Sequence, residues 1–184
     1  MELRPALQIQ TVIKAMADVV LPAVDPHNKL AQEQARLVIG MLSLLAERLP
    51  LLYRYECDEL SRFLVLAETL REAANEVRGA SQALRDLTAV VEVGRSVLTR
   101  ARAEPRELEA ANFELREKIG ALVTAVYADP DCAQCKTIGT AVTAHAKDQL
   151  LRERAWLAIQ GWEGEGSALP AIESLLGTGP LGHD

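Results

Sequence analysis

Eight prolines, at Pro5, Pro22, Pro26, Pro50, Pro105, Pro130, Pro170 and Pro180, set the frame within which this chain can fold. Proline removes a backbone donor and clashes with the preceding helical turn, so each one marks a place where a helix starts or stops. Between them, apolar residues recur at spacings of three and four, the period of a helix with one buried face. Of 184 residues, 28 are Ala and 28 are Leu, whereas Phe, Trp and Tyr together number 7. That balance favours helix and excludes an all-β fold.

The punctuation predicts about six long helices and a short C-terminal one. The first runs from Pro5 to just before Pro22, with Ile9, Val12, Ile13, Met16, Val19 and Val20 on one face. The segment Asp25-Pro26-His27-Asn28 reads as a turn whose Asn28 caps a second helix. Leu30, Leu37, Val38, Met41, Leu42, Leu45 and Leu49 are expected on the buried side of that helix, which Pro50 ends. A third helix over 51–78 carries Leu60, Phe63, Leu64, Ala67, Leu70, Ala74 and Val77, and Gly79 supplies its stop. Ser81 is the expected cap of a fourth, with Leu84, Leu87, Val90, Val91 and Leu98 inside. Pro105 opens a fifth holding Leu108, Phe113, Leu115, Ile119, Leu122 and Val126. The sixth is expected from Cys132 to Trp162, where Gly161, Gly164 and Gly166 dissolve the pattern, and a short helix follows over Leu169 to Leu176.

Connections this short place sequential helices antiparallel. The expected fold is therefore all-α, an up-and-down antiparallel helical bundle forming one domain over residues 1–176. Within it, residues 1–50 make a helical hairpin and 51–162 the main four-helix bundle. The Gly- and Pro-rich residues 177–184 read as a flexible tail.

Composition also narrows the function. The formal net charge of −6 argues against a surface built to neutralise phosphates, so no nucleic acid partner is expected. Met1-Glu2-Leu3-Arg4-Pro5 lacks the basic start and apolar core of a secretory signal, which makes a cytoplasmic location the expectation. The longest nearly uncharged apolar stretch, Leu37 to Ala46, falls well short of the roughly 20 residues of a membrane span, so no membrane partner is expected. Three cysteines, Cys57, Cys132 and Cys135, read as reduced thiols rather than a disulfide scaffold.

Long antiparallel helices suit a di-iron carboxylate site, but that site needs Glu-x-x-His pairs. The residues three before His27, His145 and His183 are Val24, Val142 and Pro180, and no His-Glu-x-x-His occurs, so no metal and no cofactor are expected. Cys132-Ala133-Gln134-Cys135 is the redox candidate, because a helix start offers amides and a positive dipole end to a thiolate. It resembles the thiol pair of the helical alkylhydroperoxidase-type family, in which a histidine follows the second cysteine. Here Lys136, Thr137, Ile138 and Gly139 stand in those places, and Asp129 and Asp131 oppose thiolate formation. Two small residues beginning a helix is the plainer alternative.

His145 shares a helical face with Ile138, Val142 and Gln149, so its ring points towards neighbouring helices, either as a ligand-binding group or as an imidazole bonded at the edge of the core. Extending the Leu60, Leu64, Ala67 stripe backwards reaches Glu56, Cys57 and Tyr53. A desolvated carboxylate beside a tyrosine and a thiol is a ligand-binding candidate. The same cluster also reads as a surface turn, with Arg54, Asp58 and Arg62 spaced by four as a solvated ion-pair ladder. Arg95, Arg100, Arg102 and Arg106 form a basic concentration, interleaved with Glu92, Glu104, Glu107 and Glu109 as on a mixed-charge surface.

The opening segment, Arg4-Pro5 through Val19-Val20-Leu21-Pro22-Ala23-Val24, then Ala31, Ala35 and the Leu37 to Leu49 helix, resembles a bacterial helical domain of uncharacterised role. Such domains are found beside or fused to aminoglycoside-phosphotransferase-like proteins and near acyl-CoA dehydrogenases. The resemblance covers about residues 4–50, carries no catalytic residue and implies an accessory or partner-binding role. With no complete catalytic set in the chain, the reading that follows is a non-enzymatic bundle that forms a homodimer or binds a protein partner. The alternative is a small-molecule or thiol-redox protein with a cavity between helices lined by Tyr53, Glu56, Cys57 and His145, with Cys132 and Cys135 as its further candidates.

Overall fold

A computed structural model describes residues 4–100, 102–129, 132–161 and 168–177, and no strand occurs among them. The fold is all-α, with long helices packed as a bundle. Of the expected flexible tail, 177–184, Gly177 is described and is hydrogen-bonded to Arg54 and Asp58, while 178–184 lie outside the described residues, as do 162–167 with Trp162, Gly164 and Gly166. The rest divides into two compact units. One comprises the described residues of Met1–Leu52 and Glu153–Pro170, the other those of Tyr53–Arg152 and Ala171–Asp184.

In the first unit, α1 spans Pro5–Ala15 and continues through a π-helical turn, Met16–Val20, into Leu21–Ala23. The helix thus passes Pro22 instead of stopping before it. The widened turn, in which the Leu21 N–H bonds the Met16 carbonyl, accommodates a residue that cannot donate. Helix α2, Lys29–Arg48, is capped as expected by the Asn28 side chain, which accepts from the Ala31 N–H at 3.0 Å. A single 3-10 turn, Leu49–Leu51, follows. Arg48 holds the later segment of this unit by donating to the Trp156 carbonyl at 2.9 Å, and Gln160 donates to the Gly40 carbonyl at 2.9 Å.

The burial expected of this hairpin is corrected by the structure. Only Ala35 and Leu44 are buried in α2, and nothing is buried in α1. Leu30, Leu37, Val38, Met41, Leu45 and Leu49 are exposed, as are Val12, Val19 and Val20 of the first helical segment. The apolar period is present, but the sides of α2 turned inward are those of Ala35 and Leu44, and the wider leucine stripe lies off them.

The second unit is built on four helices: α3 (Leu52–Ala74), α4 (Ser81–Thr99), α5 (Pro105–Tyr127) and α6 (Cys135–Leu157), the last contributing its residues through Arg152. Every residue of the predicted α3 stripe from Leu60 to Val77 is buried. Leu87, Val91, Leu108, Leu115, Leu122, Val126 and Ile138 bring the other three helices into the same core. Helix α3 ends at Ala74, four residues earlier than expected, and Gly79 falls in a 3-10 turn, Arg78–Ala80. Stopping there turns Val77 and Ala80 inward to close the core. Ala80, not Ser81, occupies the N-cap position of α4. Glu104 and Glu107 form a capping box at the Pro105 start of α5. Phe113, expected inside, is 59% exposed, while Asn112 is buried next to it. Inside positions on α5 follow 108, 111, 115, 119, 122 and 126, and Phe113 lies off that line.

A last short helix, α7 (Ile172–Leu175), belongs to this unit. Ile172 and Leu176 are buried, and three residues of α3 hold the backbone around them. Arg54 donates to the carbonyls of Glu173, Leu176 and Gly177, Arg62 donates to that of Leu175 at 2.9 Å, and the Gly177 N–H donates to Asp58 Oδ1 at 2.9 Å.

Candidate functional site

The polar centre of the second unit grows from α3, where Arg54, Asp58 and Arg62 follow one another at four-residue intervals and so share a face. They do not form a solvated ladder. Asp58 is only 9% exposed, and its Oδ2 accepts from Arg62 Nε at 2.8 Å and from Arg152 Nη1 at 2.7 Å. Arg62 reaches on to Asp148 at 2.5 Å, and Arg54 is given over to the α7 carbonyls. Arg152 is 1% exposed, lies over the Tyr55 ring at 5.4 Å and donates to Gln149 Oε1. Gln149 donates in turn to Glu59 Oε1 at 3.0 Å, which also takes Arg116 Nη2 at 3.0 Å. Three carboxylates, Asp58, Glu59 and Asp148, thus face three guanidinium groups, Arg62, Arg116 and Arg152. Glu59 and Arg152 are buried and Asp58 nearly so, and the more exposed Arg62, Arg116 and Asp148 complete a set whose charges balance.

His145 stands beside this network. Its ring packs 4.8 Å from that of Phe63 and helps line a hollow of about 350 Å³ with Ser61, Arg62, Val65, Leu66, Thr69, Ala141 and Asp148. Burial, helped by the positive charge of Arg152, holds the imidazole below its ordinary pKa and outweighs the pull of Asp148. The ring is therefore neutral at pH 7, and its Nε2 is buried with no hydrogen-bond partner among the described residues.

A pH dependence of stability follows. With its folded pKa below the unfolded value of about 6.5, His145 takes up its proton more readily in the unfolded chain. Its contribution is intact above about pH 6.5 and is lost as the pH falls from there towards the folded pKa. Chemical denaturation between pH 5 and pH 7.5 should show stability falling on the acid side, and His145→Gln should flatten that slope. An unchanged slope in the variant would assign the acid loss to other groups.

The remaining predicted ligand-binding residues lie elsewhere in the unit. Glu56 is half-buried and accepts from Asn112 Nδ2 at 2.9 Å; burial raises its pKa, against the lowering effect of Asn112. Tyr53 is exposed, which corrects its expected place on the inward stripe, and it stands near the Cys57 thiol. Cys57 is buried, and burial pushes its thiol up, as expected of an inert core cysteine. Tyr53, Glu56 and Cys57 form one group at the start of α3. The hollow is lined by His145 and by none of the three, so the four residues do not share a cavity.

The thiol pair sits at the other end of α6. Cys132 and Cys135 are half-buried free cysteines packed against the core, and the helix begins at Cys135 rather than Cys132. Among the described residues no group of three His, Cys, Asp or Glu side chains converges as a metal site. Part of the basic concentration is taken up in ion pairs: Arg95 with Glu68 at 2.5 Å and with Glu92 at 3.5 Å, Arg100 with Glu107 at 2.7 Å.

Sequence reasoning paired Asp58 with Arg62 but missed its other partners, Arg152 and the Gly177 N–H. The signal was present in α6: continuing Ile138, Val142, His145, Gln149 by three lands on Arg152, a charge on an inward face. Glu59, Arg116 and Asp148 carried no comparable mark, because each is one charge among many until the helices pair. Compared with family models, with curated proteins and with solved structures, this chain matches none of them.

Proposed function

We propose that the protein is a non-enzymatic accessory protein that self-associates through the helical hairpin of residues 5–52. One observation carries this reading: the apolar side of the hairpin is uncovered. Val19 is 67% and Leu30 72% exposed, and Leu37, Met41, Leu45 and Leu49 continue at four-residue spacing along α2. A contiguous apolar stripe of this kind on a soluble chain marks an interaction surface. Its chemistry suits a second copy. No charged residue occurs from Leu37 to Ala46, so two such stripes meet without desolvating an ion, and a two-fold axis makes one stripe complementary to itself. An accessory role also agrees with what the resemblance over residues 4–50 implies.

A competing occupant is lipid. The continuous helical run Pro5–Ala23 is 19 residues long with mean hydropathy 1.2 and no buried residue, which meets the length and composition of a membrane span. Lys14 and Asp18 lie within it and would each be costly in the hydrocarbon.

Light scattering over a concentration series decides between them. The expected mass is twice the 20.1 kDa of one chain, and Met41→Glu with Leu45→Glu should return it to 20.1 kDa with helicity unchanged. A wild-type mass of 20.1 kDa at every concentration would overturn self-association. Co-sedimentation with neutral phosphatidylcholine vesicles, abolished by changes in Pro5–Ala23, would assign the surface to lipid instead.

A further inference from the structure

We propose that Cys132 and Cys135 form a dithiol site that exchanges with small anionic disulfides, Cys135 attacking first and Cys132 closing the internal bridge. The backbone supplies the geometry. The chain turns at Ala133 and Gln134, and the Cys135 N–H donates to the Cys132 carbonyl at 3.4 Å. Such a turn brings its first and fourth Cα atoms within about 7 Å. A disulfide needs Cα atoms about 4.4–6.8 Å apart, so the bridge forms here with little movement of backbone. The Cys135 thiol donates to the Val126 carbonyl at 3.8 Å, and the Cys132 sulfur is near enough to raise its pKa.

The order of attack follows from access. A groove of about 470 Å³ runs along α6 from Cys135, lined also by Tyr127, Lys136, Gly139, Thr140 and Lys147, and Cys132 is not part of its wall. Its two charged wall residues are both lysines, about 16 Å apart at eleven residues along a helix. Gly139 leaves room for the Tyr127 hydroxyl, since a Cβ there would come within 2.5 Å of it. That hydroxyl donates to the Cys135 carbonyl at 3.1 Å, so the aromatic ring stands at the groove beside the attacking sulfur. A disulfide that carries carboxylates suits this wall, since either lysine draws an anion along α6 towards Cys135 against the opposing charge of Asp129.

The exchange balances without a further reagent. The Cys135 thiolate attacks one sulfur of the small disulfide; the old S–S bond breaks, a mixed disulfide to Cys135 forms, and the first small thiol leaves as thiolate, taking a proton. Cys132 then loses its proton and attacks the Cys135 sulfur, expelling the second small thiol. Two electrons pass from the protein pair to the small disulfide, leaving a Cys132–Cys135 bridge and two free thiols. The neighbouring Cys132 sulfur, burial and the charge of Asp129 hold Cys135 above the ordinary thiol range, so exchange at neutral pH proceeds from a small thiolate fraction. The lysines select the partner and do not acidify the thiol.

The test incubates the full chain at low salt with dithiodiglycolate, a dianion, or cystamine, a dication, and follows thiol loss by mass spectrometry with peptide mapping. Oxidation should be about threefold or more faster with the dianion, should map to Cys132 and Cys135, and should lose its charge preference in Lys136→Ala with Lys147→Ala. Cys132→Ser should stop at a mixed disulfide on Cys135, whereas Cys135→Ser should accumulate no adduct on Cys132 in the same time. Equal or faster reaction with cystamine overturns the anion preference. Trapped adducts of equal yield in the two serine variants, or a bridge that maps elsewhere, overturn the assigned roles. Helicity by circular dichroism checks each variant, and the comparison of the two reagents on the wild-type chain stands without any substitution.

Discussion

Asp58→Ala is expected to cost the second unit about 3–5 kcal/mol of stability, the range found when one partner of a buried ion pair is removed. The carboxylate is shared by Arg62 and Arg152, and its other oxygen takes the Gly177 N–H, so a single truncation strips three donors of their acceptor. Arg152 suffers most. At 1% exposed it cannot turn to water, and its Nε already lacks a partner among the described residues. Much of the loss is therefore an uncompensated guanidinium, which gives the experiment a second arm. Asp58→Ala with Arg152→Met should be less destabilised than the sum of the two single variants, by about 1–3 kcal/mol. Urea denaturation followed by helicity measures both. A loss below about 1 kcal/mol for Asp58→Ala would show that water replaces the lost acceptor and that the network is a surface one.

The second large effect is a cavity at the centre of the same unit. Leu115→Ala should cost about 2–5 kcal/mol, since the side chain is completely buried in the core of the unit. Gly94 of α4 sits opposite it: a Cβ there would lie 3.2 Å from Leu115 Cδ1, 3.4 Å from Leu64 Cδ2 and 3.5 Å from Leu60 Cδ1. Gly94→Ala alone crowds those methyl groups, a cost of order 1–3 kcal/mol, while gaining about 1 kcal/mol of helix propensity. In the double variant the new methyl occupies space that Leu115 has vacated. The pair should therefore recover about 1 kcal/mol or more relative to additivity. Strict additivity would mean that the two positions do not share a contact.

The sequence was most legible where a helix is surrounded on its apolar side. On α3 the three-and-four spacing from Leu60 to Val77 names the core correctly, because α4, α5 and α6 are all there to cover it. The same spacing on α2 names a face correctly and its burial wrongly. Leu37, Met41 and Leu45 are aligned as the period demands, yet whether a stripe is covered depends on partners that the period does not describe. Asn112 and Phe113 show a subtler limit. Hydropathy favours the aromatic ring for the interior, but the angular position of residue 112 wins: its Nδ2 donates to the Glu56 carboxylate and carbonyl, while its Oδ1 is buried with no partner among the described residues. At the site, the backward extension of the stripe holds for the buried Cys57 and the half-buried Glu56 and fails at Tyr53, which is exposed. That His145 lines a separate hollow depends on the rotation of α6 against Phe63, which one helix's own sequence does not fix.

Neither unit is contiguous along the chain, and this matters during synthesis. The first is completed only by the described residues of 153–170, and the second only by 171–177. Arg54 and Gly177, which bond at 2.6 Å, are 123 positions apart. A ribosome adding about 5–20 residues per second makes Arg54 roughly 6–25 s before its acceptor exists. Throughout that interval the nascent helices keep unmatched guanidinium groups and uncovered leucines in the open, which makes this a chain whose yield in cells should respond to the supply of chaperones.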